Sequence, residues 1–144
     1  MYFFGKCGRQ SKDPKIVVSE KKSKFTAVNK NKRTVLKVEV DDCLKISGKR
    51  CDWLLIVVDN AEAHFIELKG GKVRHALEQL ENTIKIIAVP GNGYIEKEFT
   101  GKFAYAILSH CPISGTEIQN RKKQFRRDLD TKLVIKNREC SIPL

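Results

Sequence analysis

The chain has 144 residues and a mass of 16.4 kDa, with 28 Lys+Arg against 17 Asp+Glu and a formal net charge of +11. That length fits one domain, spanning residues 1–144, with a hydrophobic core of its own. A content of 41% hydrophobic and 8% aromatic residues excludes a disordered chain. No run approaches the roughly 18 apolar residues of a membrane-spanning helix. Residues 1–6 form too short an apolar run, on the wrong side of its charges, for a signal peptide. The expectation is a soluble, cytoplasmic domain with no membrane partner. The positive excess suggests a polyanionic partner, most simply nucleic acid held through its phosphates. Cys7, Cys43, Cys51, Cys111 and Cys140 lack the paired spacing of a disulfide scaffold or zinc ribbon, so reduced, mostly buried thiols are expected.

In chain order, Ser19 is placed to cap a short helix over residues 19–25, and residues 29–33 read as a basic loop. Residues 34–40 alternate, with Leu36, Val38 and Val40 opposite Lys37, Glu39 and Asp41, the period of a half-buried strand. After a turn near 47–50, residues 51–58 are apolar on both faces beyond Asp52, which predicts a central strand covered on both sides. Asp59 and Asn60 supply a turn. A third strand covers 63–69 and is ended by Gly70 and Gly71, so the three strands read as a meander. From 72 to 87 the period changes. Val73, Ala76, Leu77, Leu80, Ile84 and Ile87 form one stripe of an amphipathic helix. A loop at 90–93 and a strand at 103–109 follow. Thr116 is the expected cap of a basic helix with Ile118, Phe125 and Leu129 inward, and residues 133–136 read as an edge strand.

The chemistry-bearing pattern lies in the two most apolar strands. Asp52 opens one; Glu67 and Lys69 close the next and, two residues apart, share a strand face. A hairpin between them returns Glu67 to the neighbourhood of Asp52. Crowded carboxylates repel unless a cation neutralises them, and a hard divalent ion such as Mg²⁺ or Mn²⁺ suits such a pair. That set, on a strongly basic chain, points to phosphodiester hydrolysis.

Asp52, followed after a hairpin-length gap by Glu67-Leu68-Lys69, resembles the PD-(D/E)XK nuclease superfamily over about residues 34–110. The resemblance implies an α/β fold with a restriction-endonuclease-like core, a central mixed β-sheet flanked by helices. The basic helix and strand of residues 116–140 lie beyond that core. It implies Asp52, Glu67 and the Leu68 carbonyl as metal ligands and Lys69 as catalytic lysine. It implies DNA ahead of RNA as substrate, and it is compatible with a homodimer and with structure-selective or weakly sequence-specific endonucleolytic cutting. Cys51 stands where the motif's name has Pro. Some members carry Gln-x-x-x-Tyr on the helix after the lysine; here Gln79 is present, as a candidate catalytic residue, and Thr83 replaces the Tyr. Glu20, with Glu39 behind it, is the candidate for an additional acid.

The same features have plainer explanations. An Asp…Glu-x-Lys pattern arises by chance, His64 reads as a packed histidine, and His75 faces solvent. His110 beside Cys111 lacks a second pair for zinc. Arg121, Lys122, Lys123, Arg126 and Arg127 form either a solvated helix face or a phosphate-binding surface. The competing functions are a catalytically inactive nucleic-acid-binding module and a small basic adaptor protein.

Overall fold

Three consecutive runs of alternating or continuous apolar residues set up the centre of the fold. In the computed structural model, which describes residues 1–20, 22–69, 72–109 and 114–144 (Lys69 by its backbone alone), they form β4 (Val35–Glu39), β5 (Trp53–Val57) and β6 (Glu62–Lys69). These pair antiparallel, with Val38 opposite Leu54 and Leu54 opposite Phe65. The meander read from the sequence is therefore present. Helix α1 (Val73–Ile87) carries the chain back, so that β7 (Gly101–Leu108) lies parallel to β6, and α2 (Gly115–Leu129) does the same for β8 (Lys132–Asn137). With β1 (Gly8–Ser11) on the other edge, the sheet has the order β1-β4-β5-β6-β7-β8 and mixes both pairings. The fold is α/β. Among the described residues no helix is long and apolar enough to cross a membrane.

A second sheet, β2 (Lys15–Glu20), β3 (Ser23–Val28) and β9 (Glu139–Pro143), supplies the third layer. The large sheet buries Leu54, Ile56 and Phe65 against the helices, where Val73, Ala76, Leu77, Leu80, Ile84 and Ile87 of α1 are all buried. Its other face buries Leu55, Ile66 and Leu68 against Ile16, Val18 and Phe25 of the small sheet. Strand β5 is thus covered on both sides, as its unbroken apolar run requires.

The expected helix over 19–25 is replaced by the β2–β3 hairpin, in which Val18 pairs with Phe25. Ile16 and Val18, then Phe25 and Ala27, recur every second residue and are all buried. That period suits a strand against a sheet, and it outweighs the capping preference of Ser19. Helix α2 starts one residue before the expected cap: Ser114 Oγ accepts from Glu117 N at 3.1 Å. The expectation of reduced cysteines fails for two of them. Cys7 and Cys43 form a disulfide, while Cys51 and Cys140 are free and buried. Pairing of Gly8 with Val38 brings the Gly5–Cys7 turn beside the π-turn Val40–Leu44, a juxtaposition invisible in the 36-residue sequence separation. His110 and Cys111 lie outside the described residues, as do Gly70 and Gly71.

Candidate active site

The parallel crossover geometry gathers the C-terminal ends of β6, β7 and β8 at one end of the large sheet, where β5 begins. Asp52 immediately precedes β5, and its N–H donates to Ile66 O at 3.1 Å. Its own carbonyl accepts from Val40 N at 3.0 Å. These backbone bonds fix the residue between two strands before its side chain is considered. The carboxylate then accepts from Leu68 N through Oδ2 at 2.8 Å. The carboxyl of Glu67 lies close enough to act on it as well.

Glu67 is only 1% exposed, on a strand between apolar neighbours. Burial pushes the Asp52 carboxyl up to about 6, against the lowering effect of the Leu68 N–H. The negative charges of Glu20 and Asp41 raise it further, and the neighbouring Glu67 carboxyl lowers it. Glu20, at the end of β2, thus acts on the site from the small sheet. Glu39 instead lies beside Trp53 on β4, lining a separate cleft. Asp41 was not anticipated from the sequence. It stands in the π-turn, where Arg50 Nε donates to its Oδ1 at 3.0 Å.

The segment before Asp52 is held along α1. Thr83 Oγ1 accepts from Cys51 N at 2.8 Å and donates to Gln79 O at 2.7 Å. Gln79 Nε2 donates to Arg50 O at 3.0 Å. Asn82 Nδ2 donates to Ser47 O at 3.1 Å and also to Lys49 O. Gln79 is therefore brought against the backbone two residues ahead of Asp52. Thr83, occupying the place of the motif's Tyr, is buried and caps the Cys51 amide. Burial, then the charge of Glu67, pushes the Cys51 thiol well up, which keeps it protonated and a poor metal ligand.

The two carboxyl groups at one strand end, Asp52 and Glu67, are oxygen donors, to which the family resemblance adds the Leu68 carbonyl. Such a set fits a hard divalent cation that keeps several waters, and it does not fit zinc. Among the described residues no group of three or more His, Cys, Asp or Glu is gathered to hold a metal, so substrate oxygens and water would complete any coordination. Lys69 belongs to β6, and its backbone pairs in register with Leu108; its side chain lies outside what is described.

The basic face of α2 is partly consumed by internal contacts. Arg121 reaches Glu81 on α1 at 3.3 Å and lies over the Phe125 ring, and Arg127 pairs with Asp128 at 2.8 Å. Among the described residues no ion pair engages Lys122, Lys123 or Arg126. His64 is a packed histidine: it is 3% exposed, bonds Tyr105 Oη and Glu62 Oε1 at 2.9 Å each, and stacks on Phe103. Comparison with protein-family models, curated proteins and solved structures finds no match for this chain.

Proposed function

We propose that this chain is a metal-dependent nuclease with a restriction-endonuclease-like core, hydrolysing phosphodiester bonds in DNA. The observation that carries the reading is the convergence of the Asp52 and Glu67 carboxyls where β5 begins and β6 ends, with Glu67 buried and the Asp52 carboxyl raised by burial. Two converging carboxyl groups, one of them with its pKa raised by burial, mark a candidate functional site. The order of three meandering strands, a helix and a parallel strand supports the same reading.

In this reading Asp52, Glu67 and the Leu68 carbonyl hold Mg²⁺ or Mn²⁺. Bound there, the ion lowers the pKa of a coordinated water and neutralises charge on the phosphoryl oxygens. Asp52 binds as the carboxylate and is held in place by the Leu68 N–H. Lys69 orients the attacking water and stabilises the charge that builds on phosphate. Gln79 acts as a positioning residue, anchoring the Arg50 carbonyl and so the approach to Asp52. The free cations of α2, Lys122, Lys123 and Arg126, supply phosphate contacts, with Arg121 and Arg127 contributing where their acids release them. Endonucleolytic cutting with weak sequence preference, and a homodimer, complete the proposal.

Cytoplasmic location belongs to this reading, and the Cys7–Cys43 disulfide bears against a reducing cytosol. Thiol labelling in intact cells decides it: a cytosolic chain has both cysteines labelled without prior reduction. For the activity, Asp52→Ala, Glu67→Ala and Lys69→Ala should each abolish metal-dependent cutting while DNA binding survives. Loss of binding alongside cutting, in variants that remain folded, contradicts these roles. Salt-sensitive DNA binding with no cutting by the wild type favours the binding module; absence of any DNA binding favours the adaptor.

A further inference from the structure

The two sheets expose neighbouring edges on the side away from the helices. Strand β1 is the edge of the large sheet and β2 the edge of the small one. A cleft of about 550 Å³ runs between them, and a second of about 230 Å³, walled by Lys6, Cys7 and Arg9 with Lys37, Glu39 and Trp53, adjoins it; the two share Arg9 and Lys37. The outer cleft carries Lys12 and Lys15, and the inner one carries Lys6 and ends on Trp53. Lys6, Arg9, Lys12 and Lys15 are exposed. Lys37 bridges the clefts, donating to Val17 O at 3.1 Å and lying 5.0 Å over the Trp53 ring. Five cations face two acids, Asp13 and Glu39, along this wall.

Trp53 is the only tryptophan of the chain and is half-buried, with its body in the core beneath the small sheet. It directly follows Asp52. A line of cations leading to an aromatic ring is the arrangement that holds single-stranded nucleic acid, with phosphates along the cations and a base against the ring. We propose that this trough binds a single-stranded segment of nucleic acid and delivers it past Trp53 to the Asp52 end of the sheet. The binding stands on the trough alone; what happens to the strand rests on the nuclease reading. The substrate class that follows is a strand with an unpaired segment: a flap, a fork or a single strand.

The test is equilibrium binding of a (dT)₁₂ oligonucleotide to the full chain in chelator, followed by Trp53 fluorescence and by anisotropy of an end-labelled strand. Quenching that tracks the anisotropy isotherm is expected. The variant Arg9→Gln/Lys12→Gln/Lys15→Gln changes only exposed side chains. With about 0.7 counterions released per contact on single strands, it should flatten the log–log salt slope by roughly 2 and weaken binding roughly 100-fold at 0.1 M salt. The parallel variant Lys30→Gln/Lys32→Gln/Lys97→Gln, three exposed cations that line neither cleft, should leave the quenching intact. Fluorescence that stays constant at saturation, or a triple trough variant that binds like wild type, overturns the proposal. Chelator keeps this outcome separate from catalysis. Trough binding with no metal-dependent cutting refutes only the nuclease reading, and cutting that ignores the trough variant refutes only the trough.

Discussion

Asn at position 52 keeps an oxygen to accept the Leu68 N–H and removes the charge whose burial is unfavourable. Burial moves the Asp52 carboxyl from 3.8 to about 6. At 1.36 kcal/mol per pH unit this is roughly 3 kcal/mol, and solvent screening of a half-buried group reduces it to about 1–3 kcal/mol. The sign follows from proton counting. Between pH 4 and pH 6 the native state binds more protons than the unfolded one, so stability falls as pH rises through that window. The loss is complete above the folded value. In chelator at pH 7, Asp52→Asn should therefore exceed the wild type by about 1–3 kcal/mol, or roughly 3–9 °C in Tm. The two stability curves, from urea or thermal unfolding, should converge near pH 4. An Asn variant no more stable than wild type at pH 7, or a wild-type advantage that grows from pH 4 to pH 6, would refute the reasoning.

Other perturbations follow from single contacts. Thr83→Val leaves the buried Cys51 N–H without its acceptor and should cost about 1–3 kcal/mol, read as a lower urea midpoint with unchanged slope; Thr83→Ser should restore most of it. The Cys7–Cys43 disulfide closes a loop of 36-residue separation, so Cys43→Ser should lower stability by about 3–4 kcal/mol, and added reductant should destabilise the wild type but not the variant. Phe125, 0% exposed between α2 and the sheet, should cost about 3–5 kcal/mol as Phe125→Ala, measured by denaturant unfolding.

The parts of the fold that the sequence made legible are those where one residue pattern decides. The stripe from Val73 to Ile87 and the unbroken apolar run of β5 each allow a single packing, and both were placed to within one or two residues. The Asp52 and Glu67 pairing was legible because a hairpin returns the chain by a fixed length. What escaped depends on contacts distant in sequence. Strands β2, β3 and β9 each bury only one to three residues among lysines and polar groups, so their period is brief, and the local preference of Ser19 for a helix cap misled. The disulfide depends on β1 pairing with β4, and β1 itself carries no apolar pattern in Gly8-Arg9-Gln10-Ser11. Asp41 reaches Asp52 only because Val40 N and Asp41 N both turn onto the Asp52 carbonyl. The alternation at Ile16, Val18, Phe25 and Ala27 was the one available signal for the second sheet. The basic cluster on α2 was visible, but its tie to Glu81 through Arg121 and Gln124 required the packing of α1 against α2.

The Asp52–Glu67 pair is proposed to hold a divalent cation for phosphodiester hydrolysis. The most direct test incubates wild type and Glu67→Gln with supercoiled plasmid, a branched duplex, single-stranded DNA and single-stranded RNA, in Mg²⁺ or Mn²⁺ and in chelator. The expected result is cutting of DNA by the wild type that requires metal and disappears in Glu67→Gln, with the variant still folded and still binding DNA. Folded wild type that cuts none of these substrates, or a Glu67→Gln variant that cuts as well as wild type, would contradict it.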